Sequence, residues 1–288
     1  MTEPTRTSVR SDPATLLAKA AEVISSNLET HPPQREIPVN GDIKVGVDLG
    51  TAYTVLVVLN AHNEPLIGEY RFAEVVRDGL VVDFIGAIDL LRGMKQRVEA
   101  LLGRDLTHAV TAFPPGVPAA ERQATANVIE ATGFSCEGLI DEPTAANNVL
   151  GLKDGVIVDV GGGTTGIAII ENGQVVYTAD EATGGKHFSL VIAGAKDLSF
   201  EAAEDLKKDP SQQALLFPVV RPVMEKVGTI VERHIHGKGA KSIMLVGGSP
   251  LFPGFAGVIE SITGLPTQVP GNPLFVTPLG IAMHDRQA

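Results

Sequence analysis

The sequence is short of several things, and each shortage excludes something. It has one cysteine in 288 residues, Cys136. A lone thiol cannot close an internal disulfide, so no disulfide framework is expected, and the usage suits a reducing cytosol. Charged residues are scarce at 20%, and the basic ones are outnumbered, 23 Lys and Arg against 34 Asp and Glu, for a net charge of −11. That balance argues against a general nucleic-acid or anionic-membrane surface. We read no signal peptide and no apolar run long enough to span a bilayer. What remains is 44% hydrophobic, enough for two modest domains or one large one with a sizeable core.

The chain is organised around the stretch Val156–Ile170, VIVDVGGGTTGIAII. A β-branched apolar run reads as a buried strand. It reaches Asp159, passes through Gly161, Gly162, Gly163, Thr164 and Thr165, and resumes as an apolar strand at Ile167–Ile170. Glycines let the backbone approach a ligand closely. Successive N–H groups in such a turn make a concave anion site, to which threonine hydroxyls add donors. An acid beside an anion cradle suits a hydrated divalent cation, because magnesium keeps its waters. The plainer reading is a glycine-rich β-hairpin with no ligand.

A second copy favours the ligand. Lys44–Leu59, KVGVDLGTAYTVLVVL, is again strand, acid, glycine loop and strand. Asp48 aligns with Asp159, Gly50 with Gly161, and Val55–Leu59 with Ile167–Ile170, so the chain carries an internal duplication. Facing halves would bring two loops and two acids to one cleft.

Strands are expected at Ala109–Phe113, Gly138–Ile140 and Lys241–Val246, with a turn at residues 77–79. Helices are expected at Ile85–Leu102, Ala119–Thr132, Thr144–Leu150, His187–Ala193, Phe200–Lys208 and Pro218–His236, with Asp209-Pro210 as a stop. A closing strand edge and helix fill Asn272–His284. Together they give an α/β fold, a mixed sheet flanked by helices. Before this body, Asp12-Pro13 opens a helix with an apolar stripe of Leu16, Ala20, Ile24 and Leu28, stopped by His31-Pro32-Pro33. The plainer reading is a helix packed on the body or a disordered leader, and the sharper one is a docking tag for a partner's groove. The duplicated fold is complete from Ile43, and a linker with Pro32, Pro33 and Pro38 would hold the helix away, so we expect a docking tag. His234 and His236 at a helix end read as side chains facing its C-terminal dipole rather than as metal ligands.

These hairpins resemble the two phosphate loops of the actin, sugar-kinase and DnaK-type chaperone superfamily. AERQAT (120–125) followed by DEPTA (141–145) is similar to the DnaK-type chaperones. GVDLGTAYT, VVRDGLVVDF, AFPPG, VDVGGGTTGIAII and DEATGGKH, in this order, resemble the ethanolamine-utilisation branch of that group. The resemblance implies a duplicated actin-like ATPase fold, two RNase H-like domains facing a nucleotide cleft. Residues 42–150 with 272–288 would form the first, 151–271 the second, and 1–41 a helix and linker. It implies ATP or ADP with Mg2+ as cofactors. Asp48 and Asp159 would serve the metal, and Glu142 and Asp159 would act in catalysis. Gly50, Thr51, Ala52, Tyr53, Gly161, Gly162, Gly163, Thr164, Thr165, Gly184 and Gly185 would line the nucleotide. Gly247, Gly248 and Ser249 would lie against adenosine, or else form a helix cap. Glu204 and Lys207 would contact the nucleoside, or else make a surface i,i+3 pair. Glu142 also suits the start of a helix whose dipole it faces, and the two roles are compatible.

Two departures matter. The acid that follows the second phosphate loop in many relatives is absent, with Thr165-Gly166 in its place. The chaperones' catalytic lysine has no counterpart, because Tyr70–Leu90 is too short for the insert that bears it. Only Asp209–Phe217 stands where the second domain's insert would be, so the fold would be a minimal form with peripheral subdomains reduced or absent. Three functions fit: a nucleotide-switched chaperone or assembly factor, a small-molecule kinase, and an inactive actin-like scaffold. The first is expected. Its partners would be ATP and a client enzyme or microcompartment shell protein, with ethanolamine ammonia-lyase a plausible client, in the cytoplasm and associated with a bacterial microcompartment.

Overall fold

The computed structural model describes residues 12–33, 37, 41–77 and 80–285. Pro38 of the linker and Asp78-Gly79 of the expected turn lie outside the described residues. In chain order, α1 (Pro13–Val23) and β1 (Ile24–Ser25) precede the first hairpin, β2 (Ile43–Leu49), β3 (Tyr53–Asn60) and β4 (Pro65–Phe72). The short strands β5 (Val76–Arg77) and β6 (Leu80–Val81) pair with each other. Then come α2 (Phe84–Leu102), β7 (His108–Phe113), α3 (Ala119–Ala131), β8 (Ser135–Asp141) and α4 (Glu142–Leu150). The second hairpin is β9 (Gly155–Val160), β10 (Thr165–Glu171) and β11 (Gln174–Glu181). It leads to α5 (Gly185–Lys196), α6 (Phe200–Lys208), α7 (Pro210–Ile235), β12 (Ile243–Val246), α8 (Phe255–Thr263), β13 (Thr267–Gln268) and α9 (Val276–Ala282).

Two sheets result, one in the order β1-β4-β3-β2-β7-β8, the other β11-β10-β9-β12-β13. Each starts as an antiparallel meander of three strands and continues in parallel strands reached through helices. The central strands are apolar on both faces because both faces are covered. On β3, Val57 and Leu59 face the core shared by the two sheets, while Leu56 and Val58 face α2. On β10, Ala168 and Ile170 face the shared core, while Ile167 and Ile169 face α5 and α7. Helices α4 and α9 fill the space between the sheets, where only small residues allow the approach. A side chain at Gly280 would enter the Ala145 carbonyl, and a Cβ at Gly46 would stand 2.6 Å from the Ala282 nitrogen.

The structure corrects three expectations. The N-terminal helix is not held away from the body. Leu16, Leu17, Ala20, Val23 and Ile24 are buried in the shared core, and β1 extends the first sheet by pairing with β4. Buried Glu69 then accepts from the Leu28 amide and from Arg97 Nε, fixing the segment that follows. The stripe needed an apolar surface, and the first sheet's edge supplies it. Asp209-Pro210 is not only a stop: Asp209 Oδ1 accepts from Ser211 N at 2.9 Å and Pro210 takes the first helical position, so α7 begins there and runs on through Pro218 and Pro222. The expected closing strand before α9 is a 3-10 turn at Pro273–Phe275.

Candidate functional site

The two hairpin loops are built alike and touch. Gly50 N donates to Tyr53 O at 3.0 Å, and Gly161 N donates to Thr164 O at 3.0 Å, the same bond in each loop. A Cβ at Gly162 would lie 2.5 Å from Ala52 Cβ, and one at Gly163 2.8 Å from Thr51 Cγ2, so the loops meet only because these positions are glycine. The second loop is braced from behind. Gly185 N donates to Gly161 O and Lys186 N to Gly162 O, both at 2.8 Å, and Ser249 Oγ donates to Gly161 O at 2.8 Å.

Three carboxylates gather beneath the loops. Asp48 lies near the end of β2, Asp159 near the end of β9, and Glu142 opens α4. Asp141 caps α4, accepting from Thr144 N at 3.0 Å. Thr277 on α9 donates to Asp159 Oδ2 at 2.8 Å. Burial, then the neighbouring Asp159 charge, pushes Asp48 up from 3.8 to about 7. Burial raises Asp159 to about 6 against the opposing Thr277 bond, with Asp180 adding to the rise. Glu142 is pushed well above the usual range by burial and then by Asp159, Asp48 and Asp180. Such a set resists full ionisation until positive charge arrives, which is the environment a divalent cation relieves. Among the described residues no three His, Cys, Asp or Glu side chains could ligate one ion together. The two aspartates on the cleft floor, Asp48 and Asp159, suit an ion that keeps most of its own water.

The far wall is polar and tightly bonded. Lys207 Nζ bonds Glu204 Oε2, Ser189 Oγ at 3.0 Å and the Gly185 carbonyl at 3.2 Å, and Ser189 Oγ also donates to Glu204. Burial raises the Glu204 carboxyl, but the Lys207 ammonium, the Ser189 hydrogen bond and Lys208 together outweigh it and leave the group below its usual range. This is a largely buried pair, so the surface-pair reading falls away. Lys208 lies over the rings of Phe72, 4.8 Å from its centroid, and Tyr53, at 5.5 Å.

Asp48, Gly50, Thr51, Ala52, Tyr53, Glu142, Asp159, Gly161, Gly162, Gly163, Thr164, Gly185, Glu204, Lys207, Gly247, Gly248 and Ser249 line one cleft of about 390 Å³. Gly247 holds φ +91°, and a side chain there would run into the Asp159 carboxylate. Two expected positions are absent from the lining. Thr165 is the first residue of β10, fully buried, with its hydroxyl donating to Thr183 O at 2.6 Å. Gly184 lies behind the second loop, where a Cβ would stand 2.8 Å from the Gly161 and Gly162 carbonyls. Lining residues that the sequence did not signal include Tyr70, Phe72, Lys208 and Thr277. Lys208 stood next to Lys207, and a basic residue at the end of a helix is usually solvated. Thr277 lies 118 residues from the acid it bonds.

Known proteins share this architecture. The family described as Hsp70 protein matches residues 83–226. MreB5 of Spiroplasma citri, in a crystal structure described as bound to AMPPNP, superposes with a TM-score of 0.70 at 20% identity, covering 86% of this chain and 97% of that one. The fold is therefore that of the actin-like ATPases in a minimal form, a duplicated α/β unit around a cleft. The crystal structure of ethanolamine utilization protein EutJ from Carboxydothermus hydrogenoformans matches with a TM-score of 0.87 at 43% identity, over 96% of this chain and 100% of that one. EutJ of Salmonella typhimurium is 43% identical over 243 residues, 84% of this chain and 85% of that protein. The chain belongs to the EutJ family.

Proposed function

We propose that the cleft binds ATP or ADP with Mg2+, and that the protein is a nucleotide-switched, chaperone-like assembly factor of ethanolamine utilisation. The observation that carries this reading is the meeting of two glycine loops above three half-buried, crowded carboxylates. Support also comes from MreB5 of the same fold, whose structures are described as bound to AMPPNP and to ADP. The loops would hold the phosphates through their amides and the Thr51 and Thr164 hydroxyls. Asp48 and Asp159 would hold the hydrated ion, whose chemistry is to neutralise phosphate charge. Glu142, beneath them, would hold or release a proton toward water at its carboxyl. Glu204, Lys207 and Ser249 would form the nucleoside side.

Hydrolysis would be slow, since positioning and electrostatics carry phosphoryl transfer and the chaperones' lysine has no counterpart. A missing group of that kind costs on the order of 10²-fold in rate or more. Residues 42–150 with 272–288 would form one lobe and 151–271 the other. Closure of the lobes on ATP would signal to a client in the cytoplasm, an enzyme such as ethanolamine ammonia-lyase or a microcompartment shell protein. Calorimetric titration with ATP and with ADP, each with and without Mg2+, tests the reading. Magnesium-dependent heat is expected, and its absence with both nucleotides would leave the inactive scaffold as the account.

A further inference from the structure

The duplication places a fourth carboxylate where neither loop motif shows one. In the first half, Asp48 pairs across to Val55, and Val55 to Tyr70. All three line the cleft. In the second half the same row reads Asp159, Gly166, Asp180. Residues directly opposite on neighbouring strands share a face. Both rows depend on a register shift beside the outer turn, between Val58 and Leu59 in one half and between Ile169 and Ile170 in the other. Without that extra residue Asp180 would be carried to the other face.

Gly166 leaves the middle of the row empty of side chain. A methyl group there would stand 3.9 Å from Asp180 Oδ1 and 3.9 Å from Asp159 Cβ, so the two acids flank one small space. Asp180 Oδ1 is closed off from solvent. It stands outside the cleft's lining, across Gly166 from Asp159, which is within it.

We infer that Asp180 is a positioning residue for the cleft's hydrated cation, acting across Gly166 and behind Asp159. This deepens the proposed nucleotide reading and rests on it. The duplicated row explains the departure at Thr165-Gly166: the carboxylate comes from the neighbouring strand instead of from the loop's own. Outer carboxylates that orient a metal's ligands contribute on the order of 10–100-fold to its affinity.

The test compares ATP affinity with and without Mg2+ in three full-length proteins: wild type, Asp180→Asn, and Asp180→Asn combined with Gly166→Asp. Asp180→Asn keeps the shape and should keep the melting temperature. It should reduce the magnesium enhancement of ATP affinity by on the order of tenfold and leave magnesium-free affinity unchanged. Gly166→Asp has room for its Cβ and returns a carboxylate to the same space, so the double variant should regain the enhancement. Wild-type enhancement in Asp180→Asn overturns the inference and leaves the nucleotide reading standing. So does a loss that the double variant does not restore, or an equal loss without magnesium. No enhancement in the wild type ends both.

Discussion

The two halves share a plan and divide the work. Each has a meander with a bulge in its third strand and a loop closed by the same amide bond from its first glycine. The first half turns aromatic rings to the cleft, Tyr53, Tyr70 and Phe72, packed edge to face. The second turns out glycines, and α5 and Ser249 hold its loop from behind. The outer edges differ too. The first sheet is extended by β1 and covered by α1, whereas β11 remains an edge with Val176 exposed. The duplicated scaffold has diverged: the first half lines the cleft with aromatic rings, the second with glycines and the Glu204–Lys207 pair, and both give carboxylates to its floor.

Removing the cover from the first half should have the largest effect. Deleting residues 1–33 strips six buried apolar side chains, Leu16, Leu17, Ala20, Val23, Ile24 and Leu28, five of them large, from the first half. At ~1.5–3 kcal/mol for each full burial, the cost should exceed about 5 kcal/mol and lower the melting temperature steeply. A truncated protein that melts like the full chain would mean the edge needs no cover and would restore the docking-tag account.

The aligned loop glycines should separate next. At Gly50 a Cβ would stand 2.7 Å from the Tyr53 carbonyl, whereas at Gly161 the nearest atom is 3.7 Å away. Gly50→Ala should cost roughly 1–3 kcal/mol, while Gly161→Ala should stay within about 0.5 kcal/mol. Equal costs in denaturant titration would show that the loops are not built differently.

Much of this was legible in the sequence. The hairpins carried strong apolar runs, and two copies of one pattern fixed which acids and glycines would converge. The destination of α1 was not legible, because a stripe of Leu16, Ala20, Ile24 and Leu28 demands an apolar surface without naming whose. Thr165 read as loop because it follows Thr164, yet β10 begins there and claims its hydroxyl. Asp180 opens the DEATGGKH stretch, but its face depends on a bulge in β11, opposite Ile169 and Ile170, that residue types do not announce.

A smaller effect comes from the crowded carboxylates, one from each half. Asp48 and Asp159, at about 7 and about 6 in the fold against 3.8 otherwise, bind more protons folded than unfolded between about pH 4 and 7. Folded stability then falls as pH rises through that window. The ligand-free protein should therefore be less stable at pH 8 than at pH 5 through these groups. Asp159→Asn should flatten the slope. A slope of the opposite sign, or one unchanged by the substitution, would count against the crowded-carboxylate account.

The claim that both halves serve one ligand is tested most directly by amide hydrogen exchange. Exchange would be followed in residues 49–53, 161–164 and 247–249 before and after addition of Mg–ATP. The account predicts that all three segments slow together at one nucleotide concentration. Protection confined to one loop, or none in any segment at saturating nucleotide, would contradict it.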